Sequence, residues 1–125
     1  MKILVTDDSK MARKMIVKSI IDTIGDNNEI IQATNGEEAV ALYKKHSPDI
    51  SFMDLTMPVL DGFEATHEII SFDKNAKIII VSADIQEGSM KRAKEKGALG
   101  FIKKPINSDN LKKMLDTLGL IWEKN

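Results

Sequence analysis

A doubly wound α/β fold, (βα)5 with a five-stranded parallel sheet, is the fold class the sequence predicts, and three observations predict it. Short β-branched runs alternate five times with longer helical patterns, as in right-handed βαβ units. Two of those runs, Ile3-Leu4-Val5 and Ile78-Ile79-Ile80-Val81, are apolar without a break, as in strands covered by helices on both faces. The 125 residues hold no internal repeat or low-complexity linker. That length suits one core but not a core plus an effector module, so a single domain over 1–125 with no output domain is expected.

The five strands are read at Lys2–Asp7, Glu29–Thr34, Asp49–Asp54, Lys77–Ser82 and Leu99–Lys103. The first helix follows Asp8-Ser9, either of which fits as its cap. Ala12, Ile16, Ile20 and Ile24 recur at i+4 with Val17 and Ile21 alongside, and Gly25 is placed to end it. Asn35-Gly36 introduces the second helix, Glu37–His46, which offers Ala39, Leu42 and Tyr43 before Pro48 breaks the chain. Asp61-Gly62 opens the third, with Ala65 and Ile69 inward. The fourth, Gln86–Lys96, has little apolar surface beyond Met90 and Ala93, and is expected to be loosely anchored and easily moved. The fifth begins near Ser108 or Asp109 and carries Leu111, Met114, Leu115 and Leu118.

Composition narrows the chemistry. With no cysteine, disulfides, zinc–thiolate sites and thiol nucleophiles are excluded. No apolar run approaches the roughly 20 residues of a membrane span, and no secretory leader pattern opens the chain, so a cytoplasmic protein without membrane partners is expected. The formal charge of −1 argues against a general nucleic-acid binder. The charge is uneven, however: residues 91–113 carry eight bases against two acids. Lys91, Lys94, Lys103 and Lys112 in that stretch are candidates for a basic face toward a partner.

Open α/β sheets bind ligands outside the carboxyl ends of their strands, and here four of the five ends are polar. Strand one delivers Asp7 and Asp8, strand three Asp54, strand four Ser82, and strand five runs into Lys104-Pro105. Carboxylates gathered in one crevice repel unless a cation or protons compensate. With oxygen donors only, the implied cation is hard, and Mg²⁺ suits a site with few protein ligands because it keeps several waters and leaves room for phosphate oxygens.

Four segments carry a resemblance: Ile3-Leu4-Val5-Thr6-Asp7-Asp8-Ser9, Met53-Asp54-Leu55-Thr56-Met57-Pro58-Val59-Leu60-Asp61-Gly62, Val81-Ser82-Ala83 and Lys104-Pro105. Together they resemble response-regulator receiver domains along essentially the whole chain. The strand order 2-1-3-4-5, a flavodoxin-like topology, is implied by this resemblance and not by spacing. It would make strands one and three neighbours, roughly 4.8 Å apart, so that the three aspartates converge, while Lys104 must span roughly 10 Å, aided by some loop displacement, to reach Asp54.

The resemblance implies a stand-alone response regulator of two-component type. Asp54 is the expected phospho-acceptor, taking its phosphoryl group from a histidine kinase. Asp8 and Asp54 are the expected direct Mg²⁺ ligands, with Asp7 acting on the ion partly through water and the backbone carbonyl of Thr56 as a further ligand. Lys104 corresponds to the phosphate-binding lysine, with a cis bond to Pro105. Ser82 corresponds to the switch hydroxyl and Phe101 to the switch aromatic. Signalling by phosphorylation-dependent protein contact, chemotaxis-type and as a monomer, is expected, with a flagellar-motor or other chemotaxis component as target and a phosphatase as a further partner. A phosphate-sink or intermediate relay receiver is the alternative, and a non-phosphorylated interaction domain is disfavoured by the complete residue set. Phe101 lacks the phenolic hydroxyl of many motility regulators, and Ser51 stands where the family usually has an apolar residue. A haloacid-dehalogenase-type phosphatase would need its acids spaced Asp-x-Asp, and a flavodoxin-like FMN binder would need a hydroxyl- and glycine-rich phosphate loop; this chain has neither. His46 and His67 are isolated, and Trp122 has no functional reading.

Overall fold

The computed structural model describes residues 1–120; Trp122 lies outside the described residues. Five strands, β1 (Lys2–Thr6), β2 (Glu29–Ala33), β3 (Ile50–Met53), β4 (Ile78–Ser82) and β5 (Gly100–Lys103), alternate with α1 (Lys10–Ile24), α2 (Gly36–His46), α3 (Gly62–Phe72), α4 (Glu87–Glu95) and α5 (Ser108–Thr117). All pairings are parallel, in the order β2-β1-β3-β4-β5, as the resemblance implies.

The two-residue period of the strands divides the core. Ile3, Val5, Ile50, Phe52, Ile79 and Val81 pack with Ile16, Ile20 and Ile24 of α1 and Leu111 and Leu115 of α5. Leu4, Met53, Ile78 and Ile80 point the other way, against Ala39 and Tyr43 of α2, Ala65 and Ile69 of α3 and Ala93 of α4. Both faces of the sheet are therefore covered, and this is why the first and fourth apolar runs do not alternate.

Several boundaries and faces differ from the sequence reading. β1 and β3 stop one residue earlier than expected, at Thr6 and Met53, so Asp7 and Asp54 stand just beyond the pleat. Ile21 is 42% exposed and not part of the core; α1 rests on its Ile16–Ile20–Ile24 stripe, and Ile21 falls outside that arc. In α2 Tyr43 is buried while Leu42 is only partly so. α5 starts at Ser108 as expected, capped by Asn107 through a reciprocal box with Asn110. α4 is thinly attached: Ala93 is its one buried residue and its N-cap, Gln86, makes no side-chain capping bond. Arg92 stacking 4.0 Å above the Phe63 ring and Lys96 pairing with Glu64 at 3.5 Å supplement that hold.

Candidate functional site

The site is built where β1 and β3, adjacent in the sheet, end side by side. Thr6 is in register with Met53, and the Asp54 N–H donates to the Thr6 carbonyl at 3.0 Å, so the next residues, Asp7 and Asp54, project from neighbouring strand tips. Ser9 takes the capping role of α1, its hydroxyl accepting from the Ala12 N–H at 3.1 Å. Asp8 is thereby left exposed and available to the crevice. One carboxylate oxygen from each of Asp7, Asp8 and Asp54 lies within 4.8 Å of the other two.

Gly62 explains the Asp61-Gly62 pair. Asp61 caps α3 by accepting from the Glu64 N–H at 2.9 Å, while a Cβ on Gly62 would collide with the Asp54 backbone carbonyl. The chain thus returns hard against the strand tip that holds Asp54. Val59, between them, is 73% exposed at φ 70°, a left-handed conformation costly for a β-branched residue.

Lys104 enters from β5. Ser82 pairs with Lys103 in register and its carbonyl accepts from the Lys104 N–H at 2.9 Å; the Lys104–Pro105 peptide is cis. The side chain reaches across without any loop displacement, contrary to the sequence reading. Its ammonium lies 2.7 Å from Asp7 Oδ2 and 3.6 Å from Asp54 Oδ1. Asp7 is the closer partner because it, too, is buried at the strand tips, its other oxygen already accepting from the Ser9 N–H at 2.9 Å.

Burial and charge set the protonation of the pair. Desolvation, with the Asp7 charge and to a lesser degree Asp8, pushes the Asp54 carboxyl up to about 6, against the lowering pull of Lys104 and a backbone hydrogen bond from Leu55. Burial works against the Lys104 ammonium, but its close contact with Asp7 and the charge of Asp54 outweigh that, and its pKa is raised. Asp7 Oδ2 is buried with the Lys104 ammonium 2.7 Å away, and a carboxylate oxygen has lone pairs enough to meet a second cation as well. An all-oxygen donor set with such an atom fits a hard divalent ion.

The other expected residues fall as follows. Ser82 ends β4, buried, with its hydroxyl accepting from the Asp84 N–H at 3.1 Å; Asp84 in turn accepts from the Gln86 N–H at 3.2 Å and the Ser89 hydroxyl at 2.8 Å. Ser82 is therefore linked through Asp84 to the first turn of α4. Phe101, opposite Ile80, is half-buried and packs on the α2–α4 side of the core. Thr56 is exposed in the loop after Leu55. Lys91, Lys94, Lys103 and Lys112 are all exposed, on α4, the end of β5 and α5. Ser51 is fully buried, and its hydroxyl has no partner among the described residues. The sequence reading missed Arg13, which donates to the Asp7 carbonyl at 2.8 Å and to Gln32 Oε1 at 3.0 Å.

The family model described as the response regulator receiver domain matches residues 3–116. The chain belongs to that family. Among curated relatives, the chemotaxis protein CheY of Listeria monocytogenes is 40% identical over 93% of this chain and 96% of its own. CheY of Bacillus subtilis is 40% identical over 88% and 90%. Among solved structures, the receiver resembles a CheX–CheY–BeF3–Mg²⁺ complex from Borrelia burgdorferi, with TM-score 0.88, 34% identity and coverage of 96% of this chain and 90% of that one. It also resembles the response regulator TrrA of Thermotoga maritima in complex with Mg²⁺–BeF, with TM-score 0.80, 31% identity and coverage of 94% and 97%. The receiver is thus CheY-like, a signalling domain with chemotaxis proteins among its relatives, and none of its described helices is long and apolar enough to cross a membrane.

Proposed function

We propose that this receiver is a phosphorylation switch in which Asp54 accepts a phosphoryl group from a phosphohistidine of a partner kinase. The observation that carries the reading is the setting of Asp54: nearly buried, with two further carboxylates within 4.8 Å and the Lys104 ammonium at 3.6 Å. With its pKa near 6, Asp54 is largely ionised at pH 7.5 and available as a nucleophile. A carboxylate oxygen of Asp54 attacks phosphorus, the bond to the donor nitrogen breaks, and the donor imidazole leaves with the electron pair. The product is an acyl phosphate, and Lys104 is placed to neutralise its oxygens.

Asp7, Asp8 and Asp54, with the Thr56 carbonyl as the family resemblance implies, would hold Mg²⁺. Bound there, the ion would neutralise charge on the transferring phosphoryl group. The same crowding that raises the Asp54 pKa explains why a divalent cation suits the site.

Ser82 and Phe101 are the proposed readout. A phosphate on Asp54 would draw the Ser82 hydroxyl, which now accepts from the Asp84 N–H. Moving Ser82 would loosen the Asp84 bonds to Gln86 and Ser89 at the start of a thinly packed α4, and Phe101 would repack beside it. Lys91, Lys94, Lys103 and Lys112 would then face an acidic target surface, with chemotaxis-type signalling favoured by the CheY relatives. Salt-independent binding to the target would contradict that face.

The test is incubation with acetyl phosphate, with and without Mg²⁺, followed by intact mass. Wild type should gain one acid-labile, hydroxylamine-labile phosphoryl group only with Mg²⁺, and Asp54→Asn none. Equal gain in Asp54→Asn would reject Asp54 as the acceptor.

A further inference from the structure

Asp7 leaves β1 with its N–H still in the sheet ladder, donating to the Ala33 carbonyl at 3.2 Å. Its carbonyl has passed the end of that ladder, and it belongs to the peptide that joins Asp7 to Asp8. Because a peptide is planar, the direction of that carbonyl fixes the plane from which both acidic side chains depart. The Arg13 guanidinium holds this carbonyl at 2.8 Å and is itself held from behind, its Nε donating to Gln32 Oε1 of β2 at 3.0 Å. We infer that Arg13 is a positioning residue for the acidic pair, setting the Asp7–Asp8 peptide so that both carboxylates meet Asp54 in the geometry a divalent cation needs.

The alternative roles of Arg13 predict different signs. As a bare positive charge beside the crevice, Arg13 would oppose a cation, so its removal would tighten Mg²⁺ binding. As a tie between α1 and β2 alone, its removal would lower the melting temperature and leave Mg²⁺ affinity unchanged. As a positioning residue, its removal frees the peptide under mutual repulsion of the acids, and affinity falls even though a competing positive charge has gone. Outer-shell partners of metal ligands act in this way.

This inference rests on the Mg²⁺ reading above, and calorimetric titration of the whole protein with MgCl2 separates the two. Wild type should bind, and Arg13→Ala should bind about fivefold or more weakly while remaining folded by circular dichroism. Arg13→Lys keeps the charge but not the two-pronged bridge, and should also bind more weakly than wild type. Wild-type binding with an unchanged or tighter constant in Arg13→Ala overturns the inference alone. Absence of wild-type binding overturns both it and the metal reading. If Arg13→Ala does not fold, Arg13→Lys decides: a weaker constant supports the positioning role and a wild-type constant overturns it.

Discussion

Replacing Asp54 by Asn should stabilise the metal-free protein at neutral pH, because the structure holds this carboxylate in surroundings that disfavour its charge. Its carboxyl is pushed from 3.8 to about 6, first by burial and next by Asp7, and the side chain is only 9% exposed. A rise from 3.8 to about 6 is worth about 3 kcal/mol. The sign follows from proton linkage. Below about pH 4 the carboxyl is protonated in both folded and unfolded chains, and it contributes no difference. Between about pH 4 and 6 the folded chain retains a proton that the unfolded chain releases, so wild-type stability falls as pH rises. Above pH 6 the full cost is present. Asn, similar in shape and uncharged, avoids it. Differential scanning calorimetry in EDTA should show Asp54→Asn melting roughly 10 °C above wild type at pH 7.5, with the gap closing toward pH 4. Adding Mg²⁺ should narrow it from the wild-type side. Equal melting temperatures at pH 7.5, or a gap that widens on acidification, would refute the reasoning from burial and crowding.

Three other substitutions probe the frame of the site. Lys104→Ala leaves the Asp7 carboxylate, with a side chain 1% exposed, without its ammonium partner at 2.7 Å, and should cost about 3 kcal/mol in urea unfolding at pH 7.5 without metal. Gly62→Ala places a methyl group against the Asp54 carbonyl and should destabilise by about 2 kcal/mol while lowering the phosphorylation rate from acetyl phosphate, since the strand tip must shift. Val59→Gly relieves a left-handed β-branched residue at φ 70° and should raise unfolding stability by about 0.5–1 kcal/mol, the strain relief exceeding the entropic cost of glycine.

All ten elements were legible because their signals are local: β-branched runs, Asn35 and Asp61 as caps, Gly25 as a stop. The strand ends were read one residue long at Asp7 and Asp54, since the pleat ends where the ladder partner runs out, which depends on the neighbouring strand. The convergence of Asp7, Asp8 and Asp54 followed once the strand order was supplied by resemblance, because adjacent parallel strands bring their tips together. That Lys104 reaches Asp54 was legible, but the loop displacement allowed for it is not needed, since its ammonium is 3.6 Å from Asp54 as it stands. Arg13 was not seen at all. In sequence it is one of several cations in α1; its bond to Asp7 needs α1 to turn back on the end of β1, and its bond to Gln32 needs β2 to dock beside β1. The Ser82–Asp84–Ser89 chain was equally hidden.

The central claim is that Asp54 is the residue that carries the phosphoryl group. Trapping the phosphorylated protein with borohydride reduces an acyl phosphate to the corresponding alcohol, and peptide mapping by mass spectrometry then locates it. The account predicts homoserine at position 54 in the Mg²⁺-treated sample and unmodified Asp7 and Asp8. Homoserine at position 7 or 8, or a phosphoryl group on Ser82 that resists borohydride, would contradict it.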